Sequence, residues 1–295
     1  MLSSPFLFAL CRLLPAPIAS WLGGWLSVRL ARPRMRLRDA RARANLALLR
    51  PDLPEDAREA ILTRRWFNIG RTMAELANID RLVDAGHVEI DREDAYRTML
   101  AEPGPMIFLT THIGNWDLLA AHLKAVAHQR PGLGIYDPPA DPAQAAMLKR
   151  ARESYMGEAI TGSSGAARAI LRHLTQKDRG TLYILVDERA DRQVTFPRFG
   201  RPLAPTGNLS VALRLGKAAG VQFVPFYLAR TKGPRFKLYW HSPLDPKAMD
   251  QDELVQRIDD FLGAACIAHA DEWLALHDMD LTASVPARDL TDQPG

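Results

Sequence analysis

Hydrophobic and polar positions follow two different periods along the chain. Between Glu55 and Asn78, the apolar residues Leu62, Trp66, Ile69, Met73 and Leu76 recur at spacings of four and three, which puts them on one face of a helix. Five short apolar runs come later: Met106–Thr111, Leu133–Tyr136, Leu182–Asp187, Gln222–Leu228 and Phe236–His241. Each has the length of a strand, and Ile107-Phe108-Leu109 and Leu182–Val186 lack polar alternation, as strands covered on both faces do. Helical stretches at 116–128, 141–156, 165–176, 207–219 and 252–276 lie around and between them. The alternation predicts an α/β fold with a mainly parallel mixed sheet flanked by helices.

The N-terminus breaks this pattern. Pro5 to Val28 is predominantly apolar, carries one charge, Arg12, and ends in Trp21, Leu22, Trp25 and Leu26. Arg29, Arg32, Arg34, Arg36, Arg38, Arg41 and Arg43 come next, with Asp39 the single acid among them. Arginines after the apolar run, and none before it, are the wrong order for a secretory signal. The length would just cross a bilayer, but Pro15, Pro17 and Gly23-Gly24 interrupt it and Arg12 would sit in hydrocarbon. A helical segment lying in the interface, with Trp at headgroup depth and arginines on anionic lipid, accounts for the same residues. A buried helix followed by a solvated basic one is the alternative. If the segment does span, the positive-inside rule puts the arginines and the rest of the chain in the cytoplasm. The expected organisation is a hydrophobic, Arg-rich membrane-associated segment at 1–50, a catalytic domain at 51–282 and a loose tail at 283–295.

Composition narrows the classes further. Apolar residues at 47% and charged residues at 24% exclude a disordered or polytopic membrane chain. The two cysteines, Cys11 and Cys266, make neither a disulfide framework nor a zinc cluster. The balance of 38 basic to 34 acidic residues is mildly basic. No aromatics interleave the arginine run for base stacking, so nucleic acid is not an expected partner.

Candidate chemistry concentrates in Met106–Leu119, MIFLTTHIGNWDLL. A buried strand ends at Thr111, His112 is next, Gly114 allows a sharp turn, and Asn115 is suited to cap the helix that begins at Trp116. Ligands of open α/β sheets collect at the carboxyl ends of strands, where His112 is expected. On a continuous helix, residues five apart diverge by about 140°. With the Gly114 turn between them, Asp117 is expected to swing back to one imidazole nitrogen and leave the other as a general base, its pKa raised by the carboxylate. No G-x-S-x-G elbow or other clear nucleophile is present, so the base would activate a hydroxyl of the substrate.

THIGNWD resembles the H-x4-D/E box of the lysophospholipid acyltransferase superfamily, and its Gly-Asn-Trp filling is similar to the lipid A late acyltransferase branch. That branch also includes mycobacterial phosphatidylinositol mannoside acyltransferases. Asn45-Leu46, Gly70-Arg71 with Glu75, Asp187, Phe196-Pro197-Arg198-Phe199-Gly200, Pro205-Thr206-Gly207, and Val224-Pro225-Phe226 with Arg230 fit it in the same order. The resemblance implies a glycerolipid acyltransferase-like fold and transfer of an acyl chain from an acyl carrier protein or coenzyme A thioester to a hydroxyl of a membrane glycolipid. The expected acceptor is a lipid A precursor at the cytoplasmic face of the inner membrane, with no metal and no tightly held cofactor.

By position, His112 would be the base and Asp117 its orienting partner. Asn115, Arg152, Arg168, Asp187, Thr206, Gly207 and Arg230 would be substrate-binding, with the arginines on phosphate or donor and the Thr206-Gly207 helix start offering N–H groups. Exposed helix arginines, a solvated strand end and plain helix capping are the plainer readings of the same residues. Lys149, Arg150 and Arg152 on the 141–156 helix could meet an acidic carrier protein. The chain departs from the family at Glu188, where Gln is usual, and at Asp117, where Glu is common. It departs again where Trp273 and His277 lead into Asp278-Met279-Asp280 instead of a basic-aromatic run. The last departure keeps a lysophospholipid or another glycolipid as the alternative acceptor. A hydrolase and a catalytically silent lipid-binding protein are the other classes compatible with the sequence.

Overall fold

The computed structural model describes residues 5–281, apart from 128–131, 136–140, 154, 156–157, 161–164, 176–179 and 191–192. Four helices come first: α1 (Pro5–Leu13), α2 (Ala16–Leu26), α3 (Arg36–Leu49) and α4 (Glu55–Glu75). After α5 (Ile79–Asp84), β1 (Val88–Ile90) and α6 (Glu93–Ala101), the chain alternates through β2 (Met106–Thr110), α7 (Trp116–Val126), β3 (Gly132–Ile135), α8 (Pro142–Glu153), β4 (Glu158–Ile160), α9 (Ala166–Thr175) and β5 (Thr181–Leu185). The small hairpin β6 (Arg189–Ala190) and β7 (Gln193–Val194), then α10 (Asn208–Ala219), β8 (Gln222–Lys232), β9 (Arg235–Trp240) and α11 (Gln251–Ala268) complete it.

Seven strands form one sheet in the order β1-β9-β8-β2-β5-β3-β4, with every pairing parallel except β8 with β9. The five expected strands are all present. The short edge strands β1 and β4, too brief to leave a pattern in the sequence, join them. The expected 252–276 helix stops at Ala268, and a separate 3-10 turn, Leu274–His277, comes after it. The tail at 283–295 lies outside the described residues, as does Tyr136.

Burial explains the sheet's lack of alternation. Ile107 and Leu109 pack with α9, α10 and α11 on one face, whereas Phe108 packs with α7 and Phe226 on the other. Strand β2 is therefore central and covered on both sides, and its register with β5 pairs Thr110 with Leu185. The Val186 amide donates to the Thr110 carbonyl, so the two strands leave the sheet side by side.

The N-terminal helices belong to the same body. Arg12 donates to both Asp80 carboxylate oxygens and to the Ala77 carbonyl, outside any apolar span. Asp39 ties α3 to its surroundings by accepting from Arg32 and from Trp66 Nε1. Among the described residues, no helix is long and apolar enough to cross a membrane. Every large apolar side chain that is exposed among the described residues, Phe6, Leu13, Trp21 and Trp25 included, lies within the first fifty residues.

Helices α2 and α4 approach closely because glycines face each other. A Cβ on Gly23 would lie 2.5 Å from the Ala74 Cβ and from the Gly70 carbonyl oxygen, and one on Gly70 would collide with Gly23 and Ser27. Gly70→Ala should therefore cost about 1–3 kcal/mol by forcing the helices apart. Thermal unfolding together with faster proteolysis within residues 5–31 would register this, and wild-type values for both would contradict the packing.

Candidate active site

Strand β2 delivers the chain to its carboxyl edge, and Thr111 and His112 continue beyond it. Gly114 then turns with φ of 61°, and a Cβ there would run into the Leu228 carbonyl, so only glycine fits. Asn115 caps α7 by accepting the Leu118 amide at 3.0 Å, as expected. His112 is held from three sides: its carbonyl accepts the Leu274 amide, its amide donates to both Asp187 oxygens, and its ring meets the edge of Trp116 with centroids 4.8 Å apart.

The imidazole partner is Asp187. His112 Nδ1 lies 2.8 Å from Asp187 Oδ1, and Trp273 Nε1 donates to Asp187 Oδ2 at 2.9 Å, inside a fully buried environment. Because Thr110 and Leu185 are in register, the residues two places beyond each, His112 and Asp187, come into contact. His112 Nε2 points the other way, 3.3 Å from Glu188 Oε1, whose side chain is 42% exposed. Burial pulls the His112 pKa down, but Asp187 and Glu188 outweigh it and push it up to about 10. The imidazolium therefore stabilises the fold fully below about 6.5, and this contribution is lost as pH rises through about 10.

The expected return of Asp117 to His112 does not occur. Asp117 sits in the first turn of α7 and faces α8: Arg152 Nε and Nη2 donate to its two oxygens at 2.9 and 3.3 Å, and the Tyr155 hydroxyl donates at 2.9 Å. The β2–β5 register sets His112 against Asp187, while the first helical turn aims Asp117 toward α8. Arg152, expected to bind substrate, is instead committed to this buried ion pair.

The remaining expected site residues divide. Arg168 is exposed on α9, and Thr206 is exposed before α10. Gly207 starts α10 with φ of 103° and no side-chain cap, while Asn208 donates to the Leu185 carbonyl at 2.7 Å and ties that helix start to the end of β5. Arg230 is not a solvated strand end. Its Nη1 and Nη2 donate to Glu75 at 2.6 and 3.0 Å, and its guanidinium lies over the Phe236 ring.

The profile of the bacterial lipid A biosynthesis acyltransferase family matches residues 5–279. The chain belongs to that family. Among curated proteins no relative matches it. Membership makes the protein an acyltransferase of lipid A biosynthesis, and the match includes the N-terminal helices as well as the sheet.

Behind the acyltransferase's His112 loop lies a buried carboxylate with no local sequence signal. Glu75 accepts from Ser20 Oγ at 2.6 Å, from Asn115 Nδ2 at 2.9 Å and from Arg230. It therefore joins α2, the start of α7 and β8. Asn115, expected to touch substrate, spends both ends of its amide on this frame. Burial pushes the Glu75 carboxyl up, but Arg230 and Ser20 outweigh that and hold it below its ordinary range. The stabilisation is present above a pH of about 4.5 and is lost as pH falls through the lowered value. The sequence marks Glu75 only through the resemblance and Glu188 only as a departure from it, and Tyr155 and Glu272 carry no signal at all. Their partners lie far away along the chain, and no spacing rule reaches that distance.

Two outcomes test this assignment. Asp187→Asn should drop the His112 pKa by several units in an NMR titration of the histidine ring, whereas Asp117→Asn should leave it near 10. The reverse pattern would restore Asp117 as the partner. Glu75→Gln, which strands the buried Arg230 charge, should destabilise the fold by about 3–5 kcal/mol in urea unfolding. A loss below about 1 kcal/mol would remove Glu75 as the frame.

Proposed function

We propose that the protein moves a fatty acyl chain from an acyl carrier protein or coenzyme A thioester to a hydroxyl of a lipid A precursor, with His112 as general base and Asp187 as its orienting partner. The observation that carries this reading is the Asp187–His112 pair at the ends of adjacent strands, with Nε2 turned outward. Nε2 takes the proton of the acceptor hydroxyl as its oxygen attacks the thioester carbonyl. The tetrahedral oxyanion is met by first-turn amides of α7, Trp116 and Asp117, which a helix leaves without intrahelical acceptors. When it collapses, the C–S bond breaks and the thiolate takes the proton back from the imidazolium.

Asp187 fixes the ring and stabilises its charge during transfer. Glu188 occupies the place an acceptor hydroxyl needs, so binding displaces it and removes one of the two carboxylates holding the imidazolium. The base is freed as the substrate arrives. Asp117, Arg152 and Tyr155 join α7 to α8, and Tyr155 also lines a cavity of about 590 Å³ whose other walls include Phe8, Leu76, Ile79 and Met147, with Arg12 and Asp80 among its polar residues. Its apolar walls suit the acyl chain, and Arg150 at the same rim suits an acidic donor.

The exposed apolar side chains of α1 and α2 would lie in the membrane interface, flanked by the exposed Arg34, Arg36, Arg38 and Arg41 on anionic lipid. On this reading the protein sits at the cytoplasmic face of the inner membrane, where thioester donors are made. Of the acidic C-terminal residues, Asp278 is engaged within the fold, 3.3 Å from His277 Nε2, whose other nitrogen is held by Arg65.

Lipid mass spectrometry of a host lacking its own late acyltransferases should reveal one added acyl chain on lipid A with the wild type. His112→Ala should lower that product by about 10²–10⁴-fold. An acylated phospholipid or other glycolipid in its place would move the acceptor, and full activity in His112→Ala would end the mechanism. In the pH profile, kcat/KM should climb through neutrality toward about 10, and Glu188→Gln should shift the limb to lower pH. A limb that ignores Glu188 would contradict the displacement step.

A further inference from the structure

A second cavity, about 500 Å³, opens where α2, α4 and the end of β8 meet the segment before Trp273, and it shares no lining residue with His112, Asp187 or Glu188. Five of its lining residues are cationic and two are acidic, and the acids are already engaged. Asp271 pairs with Arg64 at 3.0 Å. Both Glu272 oxygens accept the Arg230 amide, and burial pushes this carboxyl up to about 7, so it carries only part of its charge at neutral pH. Three cations, Arg29, Arg71 and Lys232, make no ion pair among the described residues.

Arg71 is the least comfortable of these. Burial and the neighbouring Arg230 charge pull it down to about 10, and its guanidinium makes one hydrogen bond, Nε to Ser20 Oγ at 3.0 Å. Arg230 adds a buried Nε–H without an acceptor among the described residues. Arg71 is half-buried, feels the Glu75 and Glu272 carboxylates without pairing to either, and lies over the Phe67 ring, which leaves most of its guanidinium fork for phosphate oxygens. The rim supplies the rest of the description. Trp25 and Val28 close one side, and Trp25 is 42% exposed on the apolar face of α2. A ligand here meets both cations and a partly exposed indole.

We infer that this cavity, lined by Arg71, Arg230, Lys232 and Trp25, is a binding site for the headgroup of a membrane phospholipid of net negative charge. It is separate from the acyl-transfer centre, but its walls touch the supports of that centre. Arg230 is the partner of Glu75, and a Cβ on Gly114 would lie 3.3 Å from Glu272 Oε2. The inference rests on the reading of residues 5–50 as the membrane face, so its test uses soluble lipids that need no bilayer.

Calorimetry with dihexanoylphosphatidylglycerol and dihexanoylphosphatidylcholine below their micellar concentrations supplies the measurement. The wild type should prefer the anionic lipid by about tenfold or more, from roughly fivefold per cation on an anionic headgroup. Arg71→Gln should abolish the preference. Because that change also removes a bond to Ser20, the exposed pair Arg29→Gln/Lys232→Gln tests the site independently and should cut the preference severalfold. Arg34→Gln/Arg36→Gln, an equal change of charge outside the cavity, should keep it. Equal binding of the two lipids by the wild type, or equal losses in the Arg29/Lys232 and Arg34/Arg36 variants, would overturn the site. Glycerol 3-phosphate binding as tightly as the lipid would overturn the lipid assignment. Should the Arg29/Lys232 variant also raise the acceptor KM in neutral detergent, the phosphate is the acceptor's own; an unchanged KM assigns it to bulk lipid. Vesicle binding of the wild type, measured apart, tests the membrane face alone.

Discussion

A carboxylate taken out of water must be compensated completely or it unfolds what surrounds it, and Glu75 is compensated by three separate parts of the chain. Ser20 comes from α2, Asn115 from the cap of α7, and Arg230 from the end of β8. Each donor is useful only while the others stay in place, because a buried charge with one partner removed is far costlier than the pair is stabilising. The N-terminal helices are therefore part of the acyltransferase itself. Their position is coupled to the loop that carries His112 through Gly114 and Asn115. The close Gly23–Gly70 contact brings Ser20 within reach of Glu75, so two small residues set the distance over which the carboxylate can be shared.

Roles around His112 depend on register more than on spacing. Neighbouring parallel strands paired at Thr110 and Leu185 bring the residues two places further on into contact, which gives the ring its carboxylate. Asp117, five residues away in sequence, is carried off by the helix it helps to start. Its pairing with Arg152 and Tyr155 joins α7 to α8, whose apolar residues border the larger cavity. One acid holds the His112 ring and the other joins α7 to α8. The two cannot exchange, because each is enclosed by its own donors: Trp273 and the His112 amide for Asp187, Arg152 and Tyr155 for Asp117.

The charge pattern of the N-terminus resolves in a similar way. Arg32 and Arg43 are drawn inward to Asp39 and Glu59, while Arg34, Arg36, Arg38 and Arg41 remain exposed beside the exposed apolar side chains. A run that reads as one basic stripe is partly internal scaffold and partly surface. The surface part follows the exposed Trp21 and Trp25 along the chain.

What the sequence determined by itself is local. Periods of 3.6 and 2, apolar runs without alternation, a glycine where φ must be positive and an Asn before a helix are properties of neighbouring residues. The α4 helix, the five main strands, the α7 cap and the placement of His112 at a strand end were accordingly legible. The resemblance added the family, because several short motifs recur in order. Tertiary structure decided the partners. Asp187 for His112, Arg152 for Asp117, and Glu75 for Arg230 join residues 35 to 155 positions apart. Which acid meets which base depends on strand order and register, and those are set by the sum of weak packing interactions across the whole sheet. A single residue does not encode that sum, so its chemistry can be read from the chain while its partner cannot.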